Sequence, residues 1–441
     1  PQAAIDRRNY VLDQMLANGY ITAEEHAAAE AEALNVTPRD SGTQLYSAEY
    51  FTEEVRRQLS TIYGEDQLYG GGLSVRTTLE PKLQEYARKA LMDGLTNYDH
   101  NTGFHGPVAS VDISGDWGPA VAAIRPLGDV PEWTLAVVLS IDGNSASIGL
   151  RPGNDVEGKL LPDRVTGTLD GPDIKWVSKK LSTILKVGDV VYVSPVEGKS
   201  GGYTLEQVPQ IEGALVAMDP RTGRVLAMVG GRQSDLHGFN RAWDARRPLG
   251  SSIKPFYYLM ALAQPQRWTL ASILDDTPVS LRQPNGRVWS PSNDDHIAHG
   301  EVPMVEALAK SYNLASVHLG MQLGVDRVAK FLRSFGLDDV QANPSLLLGA
   351  VDLSPFQVAQ IYQYFAADGH ALPLSTLRGV TDAQGRAIKR YSVQPGEGEY
   401  QPAERLTRWA MQQVTQYGTA ASLGESSLAY LHVAGKTGTS D

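Results

Sequence analysis

The sequence contains no cysteine, which excludes disulfide bonds and thiolate metal sites. It also lacks an apolar stretch of the length that spans a membrane, and it shows no signal-peptide pattern. The sequence has fewer basic than acidic residues: 39 lysines and arginines and 50 aspartates and glutamates, which give a formal net charge of −11. We therefore expect no nucleic-acid partner.

What is present is an ordinary globular composition, with 42% hydrophobic and 20% charged residues in a chain of 441 residues. Residues 103–212 are rich in glycine, aspartate, valine and proline and contain short alternating apolar runs, which predict a small β-rich domain. From residue 213 onward, strand-like and helix-like segments alternate, which predicts an α/β core. Residues 1–34 predict two helices, and Thr22 is a start signal for the second.

Ser251 and Lys254 form the first of three short motifs. A mostly apolar helical run follows Ser251, so we expect the serine at a helix start, where free N–H groups and the helix dipole favour a developing oxyanion. Lys254 lies on the same helix face and can accept the serine proton if burial or a positive neighbour lowers its pKa. An N-cap serine followed by a surface lysine is the ordinary alternative.

Ser311 and Asn313 form the second motif, at the end of a helical stretch. Ser311 can relay a proton between Lys254 and a leaving amine, and Asn313 can bind a peptide carbonyl of the substrate. Polar residues at a helix end explain the same pattern without any function.

Lys436, Thr437, Gly438 and Thr439 form the third motif, in a segment that we expect to be a β-strand. Gly438 carries no side chain and would let an extended substrate pair along the strand edge. Lys436 supplies positive charge for a carboxylate, and the two threonines supply hydroxyl donors. The edge of a hairpin with a solvated lysine is the alternative.

The three motifs, in this order, resemble the set found in penicillin-binding proteins and class A β-lactamases. Further segments extend the resemblance to the class A penicillin-binding proteins, the bifunctional murein synthases: 213–231, 239–247, 289–293 and 346–355. Within that class, residues 46–212 are similar to the 1A branch and residues 275–438 are closer to the 1B branch.

The resemblance implies a multi-domain α/β protein with a serine D,D-transpeptidase/β-lactamase-like core and an inserted, small OB-like β-barrel. Its expected parts are a helical remnant of a glycosyltransferase domain (1–45), the first part of the transpeptidase domain (46–102), the inserted domain (103–212) and a C-terminally incomplete core (213–441). Since the superfamily's sheet normally continues beyond the third motif, we expect an unpaired strand edge there.

The resemblance also assigns roles, with no cofactor and no metal. It implies catalytic roles for Ser251, Lys254, Ser311 and Lys436, substrate binding by Asn313, Thr437, Gly438 and Thr439, and an oxyanion hole of the Ser251 and Thr439 N–H groups. The expected ligands are peptidoglycan stem peptides and β-lactams, with activator proteins as partners. An anchor upstream of residue 1 would hold the protein at the periplasmic face of the bacterial inner membrane.

Three alternatives stay open at this point. One is a hydrolase of the same superfamily, either a D,D-carboxypeptidase or a β-lactamase, although no glutamate motif suited to activating a deacylating water is recognisable. Another is a truncated, non-catalytic docking module. The third is a metal site, since Asp294, Asp295, His296 and His299 have the composition of metal ligands; loop composition explains them, and we expect no metal.

Overall fold

The computed structural model describes residues 2–32, 48–127, 130, 132–155, 158–232, 239–282, 286, 288–393, 396 and 398–439. The chain divides into two compact units. The first contains Met92–Glu212 together with the N-terminal helices. The second contains Ala48–Leu91, Gly213–Gly231 and the described chain from residue 239 onward.

Two helices begin the chain, α1 (Gln2–Ala17) and α2 (Ala23–Ala31). Helix α2 starts with a capping box: Glu25 N donates to Thr22 Oγ1 over 3.2 Å, and Thr22 N donates to the Glu25 carboxylate over 2.7 Å. The two predicted helices and the start signal are therefore confirmed. The predicted glycosyltransferase remnant extends to residue 45, and its part from residue 33 lies outside the described residues.

The next segment contains α3 (Glu49–Tyr63), α4 (Glu65–Gly70), β1 (Ser74–Thr77) and α5 (Pro81–His100). Helix α5 is longer than the sequence predicts and contributes residues to both units, because the division falls between Leu91 and Met92.

The inserted region forms a closed five-stranded barrel. Its elements are β2 (Ala109–Ser110), α6 (Gly118–Ala122), β3 (Thr134–Asp142), β4 (Ser145–Leu150), β5 (Thr166–Asp170), α7 (Leu181–Ile184), β6 (Asp189–Pro195) and β7 (Gly202–Glu206). The ring runs β3–β4–β5–β7–β6 and back to β3, with β2 added beside β6. Only β5 and β7 pair in parallel. The predicted OB-like barrel is confirmed.

Alternation along β3 shows how this barrel is stabilised. Ala136 and Val138 point into the apolar barrel interior, whereas Leu135 and Val137 pack in a second cluster with Trp117. Both faces of the strand are therefore buried, which explains its nearly continuous apolar run.

The second unit combines short sheets with a helical core. Its remaining elements are β8 (Leu215–Asp219), β9 (Arg224–Val229), β10 (Arg247–Pro248), α8 (Lys254–Leu262), β11 (Ile273–Asp276), β12 (Leu281–Arg282), β13 (Val288–Trp289), β14 (Gly300–Pro303), α9 (Met304–Ala309), α10 (Asn313–Leu323), α11 (Val325–Arg333), β15 (Asp352–Leu353), α12 (Pro355–Ala366), β16 (Leu377–Thr381), β17 (Ala387–Arg390) and α13 (Gln401–Gln416). Strands β1, β16 and β17 form one antiparallel sheet, and β8–β9, β10–β15, β11–β14 and β12–β13 form antiparallel pairs. The α/β class is thus confirmed.

Helix α8 lies at the centre of the helical core, and all nine of its residues are buried. Phe256 contacts three aromatic rings edge-on, those of Phe335, Tyr362 and Phe365. Tyr257 and Tyr258 are fully buried, with their hydroxyls bonded to Leu347 O and Ser316 Oγ. Since the side chains around α8 are close-packed, the residue at its N-terminus is held in a defined position.

Candidate active site

Ser251 lies on a single 3₁₀ turn, Gly250–Ile253, that leads directly into α8. The sequence-based expectation of a helix start is therefore met. Gly250 adopts φ +57°, and a Cβ there would lie 2.3 Å from Thr439 O. A glycine is required at this position because the backbone of the third motif passes directly beside the serine turn.

Lys254 is the first residue of α8 and is completely buried. Its Nζ donates to Ser311 O over 2.7 Å, to Asn313 Oδ1 over 2.6 Å and to Ser311 Oγ over 3.2 Å. Burial lowers the pKa of Lys254 well below its usual value, and the positive charge of Lys436 lowers it further. The amine is thus shifted toward the neutral form that can accept a proton.

Ser311 connects α9 to α10 and holds an unusual backbone conformation, with φ +59°. Its hydroxyl lies between two lysines, because Lys436 Nζ also donates to Ser311 Oγ over 2.9 Å. A hydroxyl can accept from one lysine and donate to the lone pair of the other. The arrangement can therefore pass a proton between the two amines.

Lys436 lies next to this cluster, in a segment that is neither helix nor strand. Its Nζ also donates to Thr437 O over 2.9 Å and Thr437 Oγ1 over 3.3 Å. Burial lowers the pKa of Lys436 to about 8, and the carboxylate of Asp294 opposes this shift. Near neutral pH Lys436 therefore keeps most of its positive charge.

The expectation of a β-strand at the third motif is wrong. Residues 432–439 form no strand, because no neighbouring strand among the described residues hydrogen-bonds to them. They are held instead by helix α13, through Gly435 N to Met411 O at 3.2 Å and Thr415 Oγ1 to Val433 O at 2.5 Å. A pattern of strand-forming residues makes a strand only where a partner strand satisfies its backbone groups.

Gly438 has a packing requirement that the sequence did not reveal. A Cβ at this position would lie 2.3 Å from Ser252 Oγ and 2.9 Å from Leu249 O. The glycine therefore lets the third motif approach the serine turn closely, in addition to any role toward an extended substrate. Thr439 lies beside Gly250 for the same reason.

Most of the predicted site residues that the structure describes are joined by side-chain hydrogen bonds, but Ser251 is not joined to Lys254 in this way. Lys254, Ser311, Asn313 and Lys436 form one hydrogen-bonded cluster, and Thr437 joins it through Lys436. Ser251 makes no side-chain hydrogen bond to Lys254 among the described residues. Catalytic hydrogen bonds are often long before a substrate is bound.

Asn313 is oriented differently from the sequence-based expectation. Its Oδ1 accepts from Lys254, and its Nδ2 donates to Ser292 O over 2.9 Å and to Asp294 Oδ1 over 3.3 Å. In this arrangement the amide positions Lys254 with one end and is bound by a loop with the other. Contact with a substrate carbonyl would require Nδ2 to leave one of these partners.

Sequence reasoning missed two contributors. Thr419 contacts Thr437 through their hydroxyls at 2.6 Å, and Tyr362 donates from α12 to the carbonyl of Ser252 over 2.6 Å. Neither residue lies in a recognisable motif, so the sequence offers no signal for them. Asp294 was considered only as a metal ligand, whereas its charge acts on both lysines.

Of the residues considered as metal ligands, His299 and Asp295 contact each other, and His299 also contacts Asp276. His299 Nδ1 lies 2.9 Å from the buried Asp276 carboxylate, and His299 Nε2 lies 3.1 Å from that of Asp295. Within the described ranges, no group of three or more potential ligands is arranged to hold a metal ion. In the same part of the chain, no helix has the length and apolar character needed to cross a bilayer.

Family models of known proteins match two regions of this chain. The family model of the penicillin-binding protein transpeptidase domain matches residues 213–441, and that of the penicillin-binding protein OB-like domain matches residues 104–211. The limits of the other predicted parts stay predictions.

Relatives of two kinds are found. Penicillin-binding protein 1B of Escherichia coli (strain K12) is 41% identical over 257 residues, which cover 57% of this chain and 30% of that protein. Penicillin-binding protein 1A of Rickettsia felis is 31% identical over 391 residues, covering 87% of this chain and 47% of that protein. The chain thus spans less than half of either curated relative, and the mixture of 1A and 1B features is confirmed.

A solved structure covers the whole chain. The crystal structure of Penicillin-Binding Protein 1A from Haemophilus influenzae matches 100% of this chain and 69% of its own, with a TM-score of 0.76 and 26% identity. The fold of this chain thus matches that of a solved relative. Since the transpeptidase model alone matches more than half of the residues, this chain belongs to the penicillin-binding protein transpeptidase family, in its class A branch.

Proposed function

We propose that the chain is a D,D-transpeptidase that cross-links peptidoglycan stem peptides through an acyl-enzyme on Ser251. One observation carries the proposal. A fully buried lysine with a strongly lowered pKa lies one turn from Ser251 and shares the Ser311 hydroxyl with a second lysine. A surface lysine beside an N-cap serine would have neither the burial nor the shared partner.

Acylation would proceed in two proton-coupled steps. Neutral Lys254 takes the Ser251 hydroxyl proton as Oγ bonds to the carbonyl carbon of the penultimate D-alanine. When the amide C–N bond breaks, the proton passes through Ser311 to the leaving nitrogen, and the terminal D-alanine departs as an amine. An amine of a neighbouring stem then attacks the ester and restores the Ser251 hydroxyl.

Backbone N–H groups would stabilise the tetrahedral intermediate. The family resemblance assigns the oxyanion hole to the amides of Ser251 and Thr439. A Cβ on Gly250 would lie 3.2 Å from Thr439 N, so the two amides come from neighbouring backbone segments. Donors fixed before the reaction stabilise the developing charge at little reorganisation cost.

Lys436 would bind the carboxylate of the substrate. It keeps most of its charge near neutral pH, and the hydroxyl of Thr437 lies beside it. Thr439 would add a second hydroxyl donor. The same positive charge would lower the pKa of Lys254, so substrate binding and base activation are coupled through one residue.

Further functions of the whole protein are carried over from its relatives. We propose that the parent protein also polymerises glycan strands, as a bifunctional murein synthase, and is anchored at the periplasmic face of the bacterial inner membrane. Activator proteins would be its partners. Residues 1–45 would be the end of the glycosyltransferase domain.

The proposal is tested with benzylpenicillin and a stem pentapeptide. We expect a stable adduct of one β-lactam per chain by intact mass, and release of D-alanine with formation of a cross-linked dimer when an acceptor amine is supplied. The matched control is Ser251→Ala, which should give neither product. Rapid turnover of the β-lactam would instead identify a hydrolase, and a folded wild-type chain without any adduct would identify a docking module.

A further inference from the structure

Helix α10 begins at Asn313 without a cap of its own, since the side chain of Tyr312 makes no capping bond. Its first N–H groups need partners nonetheless. Asn293 Oδ1 accepts from Asn313 N over 2.6 Å and from Leu314 N over 3.1 Å. Asp276 Oδ1 accepts from Ala315 N over 2.8 Å. Two residues from distant segments therefore cap the helix that carries the second motif.

Asp276 is the centre of this network. Its carboxylate is fully buried, and Oδ2 accepts from Asn293 Nδ2 over 2.7 Å, from His299 N over 3.0 Å and from His299 Nδ1 over 2.9 Å. A buried charge is stable only when its hydrogen bonds are complete, and here three residues supply the donors. The position of each partner is thus fixed by the others.

His299 extends the network to the motif itself. Its ring stacks on that of Tyr312, with centroids 4.0 Å apart and planes 19° from parallel. Tyr312 lies between the two residues that hold the Lys254 amine, Ser311 and Asn313. The network therefore holds the motif both from the helix start and from the central tyrosine.

Ser311 depends on such support. Its φ of +59° is a left-handed conformation that serine rarely adopts, and such conformations persist where the surroundings fix them. At the end of α9, Ser311 N donates to Leu308 O over 3.2 Å and Tyr312 N donates to Ala307 O over 2.9 Å. The capped start of α10 follows at Asn313.

We propose that Asp276, Asn293 and His299 are positioning residues for acylation, which hold Ser311 and Asn313 against Lys254 through the first turn of α10 and Tyr312. The proposal rests on the function proposed above. None of the three residues needs to touch the substrate. Loss of the network should slow the acylation step while leaving the prior, non-covalent binding of a β-lactam nearly unchanged. A displacement near 1 Å is sufficient for a loss of about 100-fold.

The test removes the buried acid and the buried amide in turn. Asp276→Asn removes the charge and places an NH2 group against a backbone N–H, that of Ala315 or that of His299. Asn293→Asp places two carboxylates against each other. We expect each variant to lose about 100-fold in the acylation rate constant, with the dissociation constant within about threefold.

Gln84→Ala is the matched control. Gln84 is a buried side chain that bonds both the N–H and the carbonyl of Met228, over 2.8 and 2.9 Å, and it contacts none of the three motifs in any described hydrogen bond. It should lower the melting temperature as the single variants do and leave acylation unchanged. Variants of Asp276 and Asn293 that lose stability but keep acylation within about threefold would overturn the proposal.

A second measurement separates this proposal from the proposed function. If the wild-type chain is not acylated at all, the function fails, and amide hydrogen exchange at residues 313–315 then tests the network directly. Faster exchange at these amides in Asp276→Asn and Asn293→Asp, but not in Gln84→Ala, supports the positioning role. Unchanged exchange in the two variants overturns it.

Discussion

Lys254 and Lys436 donate to the same serine hydroxyl, but they reach it from very different surroundings. Lys254 starts a helix in which every residue is buried, whereas Lys436 lies outside any helix, in a segment that no neighbouring strand supports among the described residues. Packing along a whole helix fixes Lys254, and a few hydrogen bonds fix Lys436. Two lysines that share one hydroxyl can thus be held by quite different amounts of structure.

The same contrast appears in their electrostatics. Desolvation and the charge of Lys436 both lower the pKa of Lys254, which makes it suitable as a base. The pKa of Lys436 falls only to about 8, because its burial is less complete. The carboxylate of Asp294 raises the pKa of both lysines and so does not separate them. One lysine therefore acts as a proton acceptor and the other as a fixed positive charge.

The largest expected effect on the acylation rate comes from removing the buried lysine, Lys254. Lys254→Ala should lower the second-order rate of β-lactam acylation by about 10²–10⁴-fold or more, because the general base is lost. Stopped-flow acylation measures it. Lys330→Ala is the control, since it removes an exposed lysine from α11 and should change nothing. An equal loss in both variants would contradict the assignment.

A substitution in the third motif should lower the acylation rate by less than the loss of Lys254, but still strongly. In Gly438→Ala the new methyl group would lie 2.3 Å from Ser252 Oγ, so the segment that carries Lys436 must shift. We expect a loss of about 100-fold in acylation. Adding Ser252→Ala removes that hydroxyl and should restore part of the rate. If the second substitution has no effect, contact with the Ser252 hydroxyl is not the cause, and only the approach to Leu249 O at 2.9 Å is left to explain the loss.

The pH profile tests the division of roles between the lysines. In the wild type, acylation should decline above a pH of about 8, where Lys436 loses its charge. In Lys436→Met this decline should disappear, the rate near pH 7 should fall about tenfold, and the acid limb should move to higher pH. The acid limb moves because the charge that lowers the pKa of Lys254 is gone. Acid limbs that coincide in both proteins would show that the lysines are not coupled.

The smallest effect is expected at Thr419. Its hydroxyl contacts that of Thr437 at 2.6 Å, outside the buried cluster. Thr419→Val should slow acylation about threefold, as expected for one exposed hydrogen bond. Thr183→Val, which changes a threonine of the other unit, is the control in the same assay. A loss as large as that of Lys254→Ala would mean that Thr419 has a more direct role.

Sequence patterns that depend only on neighbouring residues predicted the local structure correctly. The capping box at Thr22, the alternation in the barrel strands and the helix start at Ser251 each depend on neighbouring residues. The strand expected at Lys436 was wrong because pairing depends on a partner elsewhere in the chain.

At the site, too, the sequence predicted what the motifs contain but not what surrounds them. Motif order predicted which residues belong together, and Lys254, Ser311, Asn313 and Lys436 do lie in one hydrogen-bonded cluster. Their surroundings were not predictable from the motifs. The burial of Lys254 depends on the whole helical core, and Asp276 caps a helix 39 residues away in sequence.

Peptide mapping of the β-lactam adduct tests the central claim most directly. After incubation with benzylpenicillin and proteolysis, mass spectrometry should find the adduct on Ser251 alone. Among the residues that the structure describes, no other serine stands at a helix start one turn from a buried lysine of lowered pKa. The Ser251→Ala protein should carry none. An adduct on Ser252 or Ser311, or one that persists in Ser251→Ala, would contradict the account.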